Sequence, residues 1–244
     1  IPFNEGVNLQ SAVTNIPDGS SSDMCNCVVN QDGSISKRYG SEPYVNQPLS
    51  TGPVSGLYRA YASTGTSYRS ILLAIVGTRI VSSTGGDVPF FTVNPVTVTA
   101  NQSWSFVSFG ENDVIFTGSG FTDSVKRFNV FTSSLTDLFV TAIDTEAVRI
   151  RAKYVLKQSN YLFLGNVQDI TNGTTYYPQR TYYSLLNQPS SFTWNRYEEI
   201  RAGEEITGLG NMFDRVNIFY PSSIHEISFT VMAPLGTQEL SEVV

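Results

Sequence analysis

The side chains with the most chemistry in this 244-residue chain are few and far apart. His225 is the only histidine, so any Ser-His-Asp relay or histidine-ligated metal must pass through it. It stands in Ile224-His225-Glu226-Ile227, where it reads as a strand surface residue. No Gly-x-Ser-x-Gly elbow and no glycine-rich phosphate loop opening a helix accompanies it. Cys25 and Cys27 are the only cysteines, and C-x-C spacing in an extended segment puts both on one face. A disulfide across so short a span would be strained, and a metal would need two further ligands. They read as two small, partly buried residues. The sequence therefore points to no catalytic residue, no cofactor site and no metal site.

Paired carboxylates are the second kind of chemistry to weigh. Glu198-Glu199, Glu204-Glu205 and Asp113 could serve a glycosidase. Asn30-Gln31-Asp32-Gly33-Ser34 is faintly similar to the Asp-box turn of sialidase propellers, but the following Trp and an arginine cluster for a substrate carboxylate are missing. The doublets read as solvated turns. Tyr176, Tyr177, Tyr182, Tyr183 and Trp194 are effective contact residues for a sugar or a protein. Their competing reading is packing between strands. Arg149-Ile150-Arg151 alternates charge with an apolar residue, as an exposed strand or a partner of an acidic neighbour would. These five aromatics with Arg149 and Arg151 form the candidate interaction surface. The sequons Asn101-Gln102-Ser103 and Asn172-Gly173-Thr174 carry little weight without a secretion signal.

The elements that must position these residues are strands. Only 15% of residues are charged, 12% are aromatic, and 19 are glycine, which favours pleated strands joined by tight turns. A phrase recurs: a polar turn, then Asp, Asn or Arg, then alternating apolar residues. Its copies are Tyr68 to Val76, Glu111 to Phe116, Ser159 to Leu164 and Asp214 to Phe219. Companion strands flank most copies: Trp104 to Phe109, Val125 to Phe131 and Leu138 to Thr141 around the second; Ala152 to Leu156 and Thr181 to Ser184 around the third; Ile206 to Leu209 and Ile224 to Phe229 around the fourth. Asp113, Asn160 and Arg215 stand 47 and 55 residues apart, close to the spacing of four-stranded propeller blades.

The expected fold is all-β, a β-propeller-like array of antiparallel three- to four-stranded blades occupying residues 51–244 after an amino-terminal strand and hairpin segment over 1–50. The alternative is a β-sandwich. Thr145 to Lys153 and Glu198 to Gly203 are candidates for a helical turn or two, and a strand could equally begin at both. Four blades would leave one edge open, so the array is expected to be incomplete or completed elsewhere. The formal net charge of −6 argues against binding by phosphate neutralisation. The longest apolar run, near Ile71 to Val76, is far too short to span a bilayer as a helix, and no membrane partner is expected. Residue 1 is Ile, so the chain is expected to be processed or part of something longer.

In the first fifty residues the order runs Asn8, Ile16-Pro17-Asp18-Gly19-Ser20, Cys27-Val28-Val29, then Gln31-Asp32-Gly33-Ser34-Ile35-Ser36-Lys37-Arg38-Tyr39-Gly40. This resembles the amino-terminal segment of tailed-bacteriophage virion proteins, notably the propeller-bearing tail nozzle or tail tubular proteins. Tyr182-Tyr183-Ser184 with Gln188 to Trp194, and Gly203 to Leu209 with Asp214 to Phe219 and Ser223 to Ile227, resemble later blades of that family. The pieces cover about two thirds of the chain. The chain departs from such proteins in being shorter, without their insertions between blades. The resemblance implies a structural subunit of a tail nozzle, adaptor or tubular ring, not an enzyme. Its implied partners are other virion tail proteins and copies of itself in a ring, with DNA only as cargo passing the lumen and no small-molecule substrate. Its implied location is the virion tail, after synthesis in the bacterial host cytoplasm. A host-surface or glycan-binding propeller module is the alternative.

Overall fold

A computed structural model describes residues 6–7, 15–16, 20–21, 25–32, 34–38, 40, 52–63, 65–84, 91–139, 148–212, 214–231 and 238–243. The Pro17-Asp18-Gly19 turn, Gly33 and the stretch from 140 to 147 lie outside them, and with them the expected strand end at Thr141. The chain divides into two units, Ile1–Tyr44 and Val45–Val244.

In the first unit β1 (Gly6–Val7) pairs in parallel with β2 (Ser20–Ser21), and β3 (Cys27–Val29) pairs antiparallel with β4 (Ile35–Lys37). The hairpin turn is closed by side chains. Asp32 accepts from the Ser34 backbone N–H at 2.9 Å and from its hydroxyl at 2.6 Å, and Asn30 Nδ2 donates to the same hydroxyl. This is ordinary turn chemistry for Asx residues. Cys25 and Cys27 are both free thiols.

The second unit is four consecutive four-stranded antiparallel sheets. The first holds β5 (Val54–Ser63), β6 (Tyr68–Val76), β7 (Arg79–Ser83) and β8 (Phe91–Thr97). The second holds β9 (Trp104–Phe109), β10 (Asp113–Gly118), β11 (Lys126–Asn129) and β12 (Ser134–Asp137). The third holds β13 (Ile150–Gln158), β14 (Tyr161–Asp169), β15 (Thr175–Tyr183) and β16 (Tyr197–Glu198). The fourth holds β17 (Gly208–Met212), β18 (Arg215–Phe219), β19 (Ile224–Val231) and β20 (Gln238–Val243). Every sheet is a meander in sequence order. Each copy of the recurring phrase is the second strand of its sheet with the turn before it, the most buried strand of the four in the second and third sheets.

The array is all-β and propeller-like, and it consists of four local sheets rather than the two long-range sheets of a sandwich. Among the described residues the strand alternative holds at both stretches: Ile150 onward is β13, bonded to β14, and Glu198 ends β16, bonded to β15, with 200–203 a bend and turn after it. In the second sheet the fourth strand is Ser134–Asp137, just ahead of the expected Leu138.

Near-continuous apolar runs such as Val114-Ile115-Phe116 and Tyr161 to Leu164 send successive side chains to opposite faces, so the second and third sheets are apolar on both faces and the sheets stack. One core joins the first and second sheets through Ala60, Ile71, Leu73, Ile75, Val114, Phe116 and Phe128. The next joins the second and third through Ile115, Val125, Ile150, Leu162, Leu164, Tyr182 and Phe192. The last joins the third and fourth through Tyr161, Phe163, Val216, Ile218 and Ile227. Phe116, Phe128, Phe163 and Phe192 are fully buried, each contributing about 1.5–3 kcal/mol by transfer from water. Between sheets, two approaches need a missing side chain. A Cβ on Gly56 would lie 3.0 Å from Phe106, and one on Gly165 would lie 3.0 Å from Leu209, so large residues of the following sheet rest on bare backbone.

Candidate functional site

The densest polar cluster lies on the third sheet, and a sheet irregularity creates it. From Phe163↔Tyr183 to Gly165↔Thr181 the β14–β15 register is regular; it resumes at Val167↔Tyr177. One residue of β14, Asn166, therefore faces three of β15: Pro178, Gln179 and Arg180. Asn166 takes a positive φ of 55°, which Asn tolerates better than other residues with a Cβ. A bulge re-aims the side chains around it. Above it Ile150 and Ala152 of β13 face the second sheet, while below it Val155 does so, an interchange of odd and even positions.

The consequence is a charged and aromatic cluster at the bulge. Asn166, fully buried, donates to the Ile206 carbonyl at 2.9 Å and to Glu205 at 2.8 Å, and its Oδ1 accepts from the Tyr176 hydroxyl at 2.9 Å. Lys153 Nζ lies 2.5 Å from Glu205 Oε1. The same ammonium sits 5.5 Å from the Phe121 ring centre and 6.0 Å from that of Tyr176, within cation–π range. The two rings meet edge to face at 5.2 Å. Arg151 donates to the Phe121 carbonyl at 2.8 Å. Phe121 is itself at φ 57°, held by a loop in which Gln102 bonds Asp123 at 2.6 Å and receives Gly120 N–H at 2.8 Å.

The electrostatics follow from these contacts. Partial burial works against the Lys153 charge, but the Glu205 carboxylate and Tyr176 outweigh it and hold its pKa above the usual lysine value. Lys153, then Asn166, hold the Glu205 carboxyl below the usual carboxylate range. On the other side of the bulge Arg180 is clamped between Tyr177 and Tyr197, 3.8 and 4.1 Å from their ring centres, and pairs with Glu199 at 2.7 Å. Burial opposes the Arg180 charge, and the bond to Glu199 more than restores it.

Of the sequence-predicted residues, the structure brings Tyr176 and Arg151 into the first cluster and Tyr177 into the second. Tyr182 is a core residue, 2% exposed, whose hydroxyl pKa is raised by burial. Tyr183 packs into the core shared with the fourth sheet, with Arg196 4.7 Å from its ring centre. Arg149 is exposed, and its backbone N–H is bound by Thr171. Trp194 is 60% exposed in a turn. The seven residues are thus divided among core, clusters and surface. Sequence reasoning missed Lys153, Asn166, Phe121 and Arg180, and it placed Glu205 in a solvated turn. One signal available was Gly165-Asn166 interrupting an apolar strand, a pattern that marks bulges.

Two further places hold polar groups. An open cleft of about 190 Å³ is lined by Asp113, Arg127, Asn129, Thr132, Ser134 and Thr136. Its Asp113 is already committed to Arg127 at 2.5 and 2.9 Å and to Asn129 at 3.1 Å. His225 Nε2 lies 3.1 Å from Ser223 Oγ and edge-on to Tyr220, and among the described residues no carboxylate bonds its other ring nitrogen. No group of three or more His, Cys, Asp or Glu could hold a metal among the described residues.

No family model matches the chain, and no curated protein matches it. Six chains of known structure do match. One, described as "AfRom2 CNH domain", is 8% identical with a TM-score of 0.41, and the match covers 91% of this chain and 60% of that one. The chain thus spans about three fifths of that structure's length.

Proposed function

We propose that the chain is a structural subunit of a tailed-bacteriophage virion, a tail nozzle, adaptor or tubular ring component that works through assembly contacts and is not an enzyme. The phage assignment rests on the sequence resemblance of the amino-terminal segment and the later blades. The observation that carries the structural role is where the reactive side chains go. Lys153, Glu205, Arg180, Glu199, Arg127 and Asp113 fall into three ion pairs; the first ties the third sheet to the segment leading into the fourth, and the second ties β15 to the residue after β16 within the third sheet. Such pairs stiffen a scaffold, and none of these six side chains is left as a free acid or base. The partners are other virion tail proteins and further copies of the chain, with DNA passing through the lumen of their ring; a net charge of −6 on the chain suits passage without retention.

Immunogold labelling of purified phage particles with antibody to the chain tests this reading. Label at the tail supports it, and particles without label overturn it. A glycan-binding reading rests on one observation, the exposed Trp194 beside half-buried strands. Glycan-array binding abolished by Trp194→Ala would favour it over assembly.

A further inference from the structure

The amino-terminal hairpin holds the chain's only two thiols. Cys25 and Cys27 are both free, Cys25 exposed and Cys27 half-buried. In a flat strand, residues two apart stand about 6.6 Å from Cα to Cα, at the long end of the roughly 4.4–6.8 Å that a disulfide spans. The segment is not flat. Asn26 is a bend with φ 53°, a left-handed conformation that asparagine tolerates, and a bend draws the flanking Cα atoms closer together than an extended strand leaves them. It relieves part of the strain that an extended C-x-C segment would impose. The surroundings are cationic. Arg38 N–H donates to the Asn26 carbonyl at 2.8 Å, and Asn30 N–H donates to the Ser34 carbonyl at 2.9 Å. Hydrogen-bonded pairs alternate along an antiparallel ladder, so Cys27↔Lys37 is a non-hydrogen-bonded pair, the kind whose side chains lie closest. Lys37 and Arg38 are exposed, and neither forms an ion pair among the described residues. Partly exposed, electropositive places of this kind are where cysteines react.

We propose that Cys25 and Cys27 form a thiol–disulfide exchange site for an anionic low-molecular-weight disulfide, with Cys27 the attacking sulfur and Cys25 the resolving one. Lys37 and Arg38 hold the anionic disulfide beside Cys27. The Cys27 thiolate attacks one sulfur of the bound disulfide, whose S–S bond breaks; a mixed disulfide forms and the first small thiol leaves. The Cys25 thiolate then attacks the Cys27 sulfur, closing the Cys25–Cys27 bond and releasing the second small thiol. The two cysteines lose two electrons, the small disulfide gains them, and the two thiol protons leave with its two halves. A ring this short is labile, so the same steps run backwards under excess thiol. The inference stands apart from the assembly reading, and neither depends on the other.

The test treats the reduced full chain with glutathione disulfide, which is anionic at neutral pH, and separately with the neutral 2-hydroxyethyl disulfide, and follows the products by intact-mass spectrometry. The unmodified chain should lose the mass of two hydrogens and keep no glutathione. Cys25→Ser should instead accumulate one mixed disulfide, mapped to Cys27, and Cys27→Ser should react several-fold more slowly. Lys37→Gln should slow the reaction with glutathione disulfide several-fold and leave the reaction with the neutral disulfide unchanged, and added salt should erase that difference. Circular dichroism verifies the fold of each variant, and the Lys37→Gln comparison needs no cysteine replaced. A chain that stays reduced, or that retains glutathione on both sulfurs, would overturn the exchange site. Equal rates for the two serine variants would overturn the assignment of Cys27, and a Lys37→Gln effect that is absent or the same for both disulfides would overturn the electrostatic docking.

Discussion

The interface between the second and third sheets and the outer faces of the first and fourth sheets use similar residues to different ends. Inside, Ile115, Leu162, Leu164 and Phe192 are sealed from water. The sheets are also pinned by side chains reaching across to backbone. Thr117 donates to the Ala152 carbonyl at 2.5 Å, and Ser105 both accepts from Val155 N–H and donates to Val155 O. Outside, Ala74, Val76 and Val81 of the first sheet are sealed as well, but Leu57, Tyr61, Tyr68, Met212 and Ile224, as apolar as the inner residues, stand in solvent. The inner interface is thus both sealed and pinned, so a change there must cost stability that a change at these five positions does not.

Substitutions can break this contrast. The largest effect should come from Phe163→Ala, which empties a fully buried site between the third and fourth sheets and should cost about 3–5 kcal/mol. Urea denaturation measures it, and a loss under about 1 kcal/mol would mean that this interface does not support the fold. Thr117→Val keeps the shape but leaves the Ala152 carbonyl without its donor, so it should cost about 1–3 kcal/mol in the same assay. Equal stability of this variant would remove the pinning argument for the inner interface.

Glu205→Gln should cost less, about 1 kcal/mol or below, because the Glu205 side chain is half exposed. Its pH dependence is the sharper readout. Lys153 holds the folded carboxyl below its unfolded value, so the stabilisation is complete above the ordinary carboxylate range and is lost as pH falls through the lowered folded value. The stability gap between the unmodified chain and the Glu205→Gln variant should therefore be present at neutral pH and vanish at strongly acid pH. A gap that widens in acid would contradict the ion pair. The smallest effect on stability belongs to Ile224→Glu, within about 0.5 kcal/mol. A large loss there, measured by thermal unfolding, would mean that Ile224 packs in the fold and does not stand in solvent.

The blades were legible in the sequence because their second strands are locally encoded. A turn residue followed by apolar residues such as Val114-Ile115-Phe116 or Val216-Asn217-Ile218-Phe219 suffices to place a buried strand. The aromatic surface was less legible. Adjacent residues of a strand face opposite ways, so Tyr182 and Tyr183 enter two different cores, and Tyr176 and Tyr177 join two different clusters. The Lys153–Glu205 pair joins residues 52 apart through a bulge, and neither the bulge's two extra β15 residues nor its exchange of faces leaves a periodic trace. Pro178 within a strand was the other signal, since proline in a sheet belongs at edges and bulges.

The Lys153–Glu205 pair is, on this reading, a brace between the third sheet and the segment that leads into the fourth. Urea denaturation of the unmodified chain and of Glu205→Gln at neutral and at strongly acid pH tests that claim most directly. A stability gap present at neutral pH and closed in acid is expected. Equal stability of the two chains at neutral pH would contradict it.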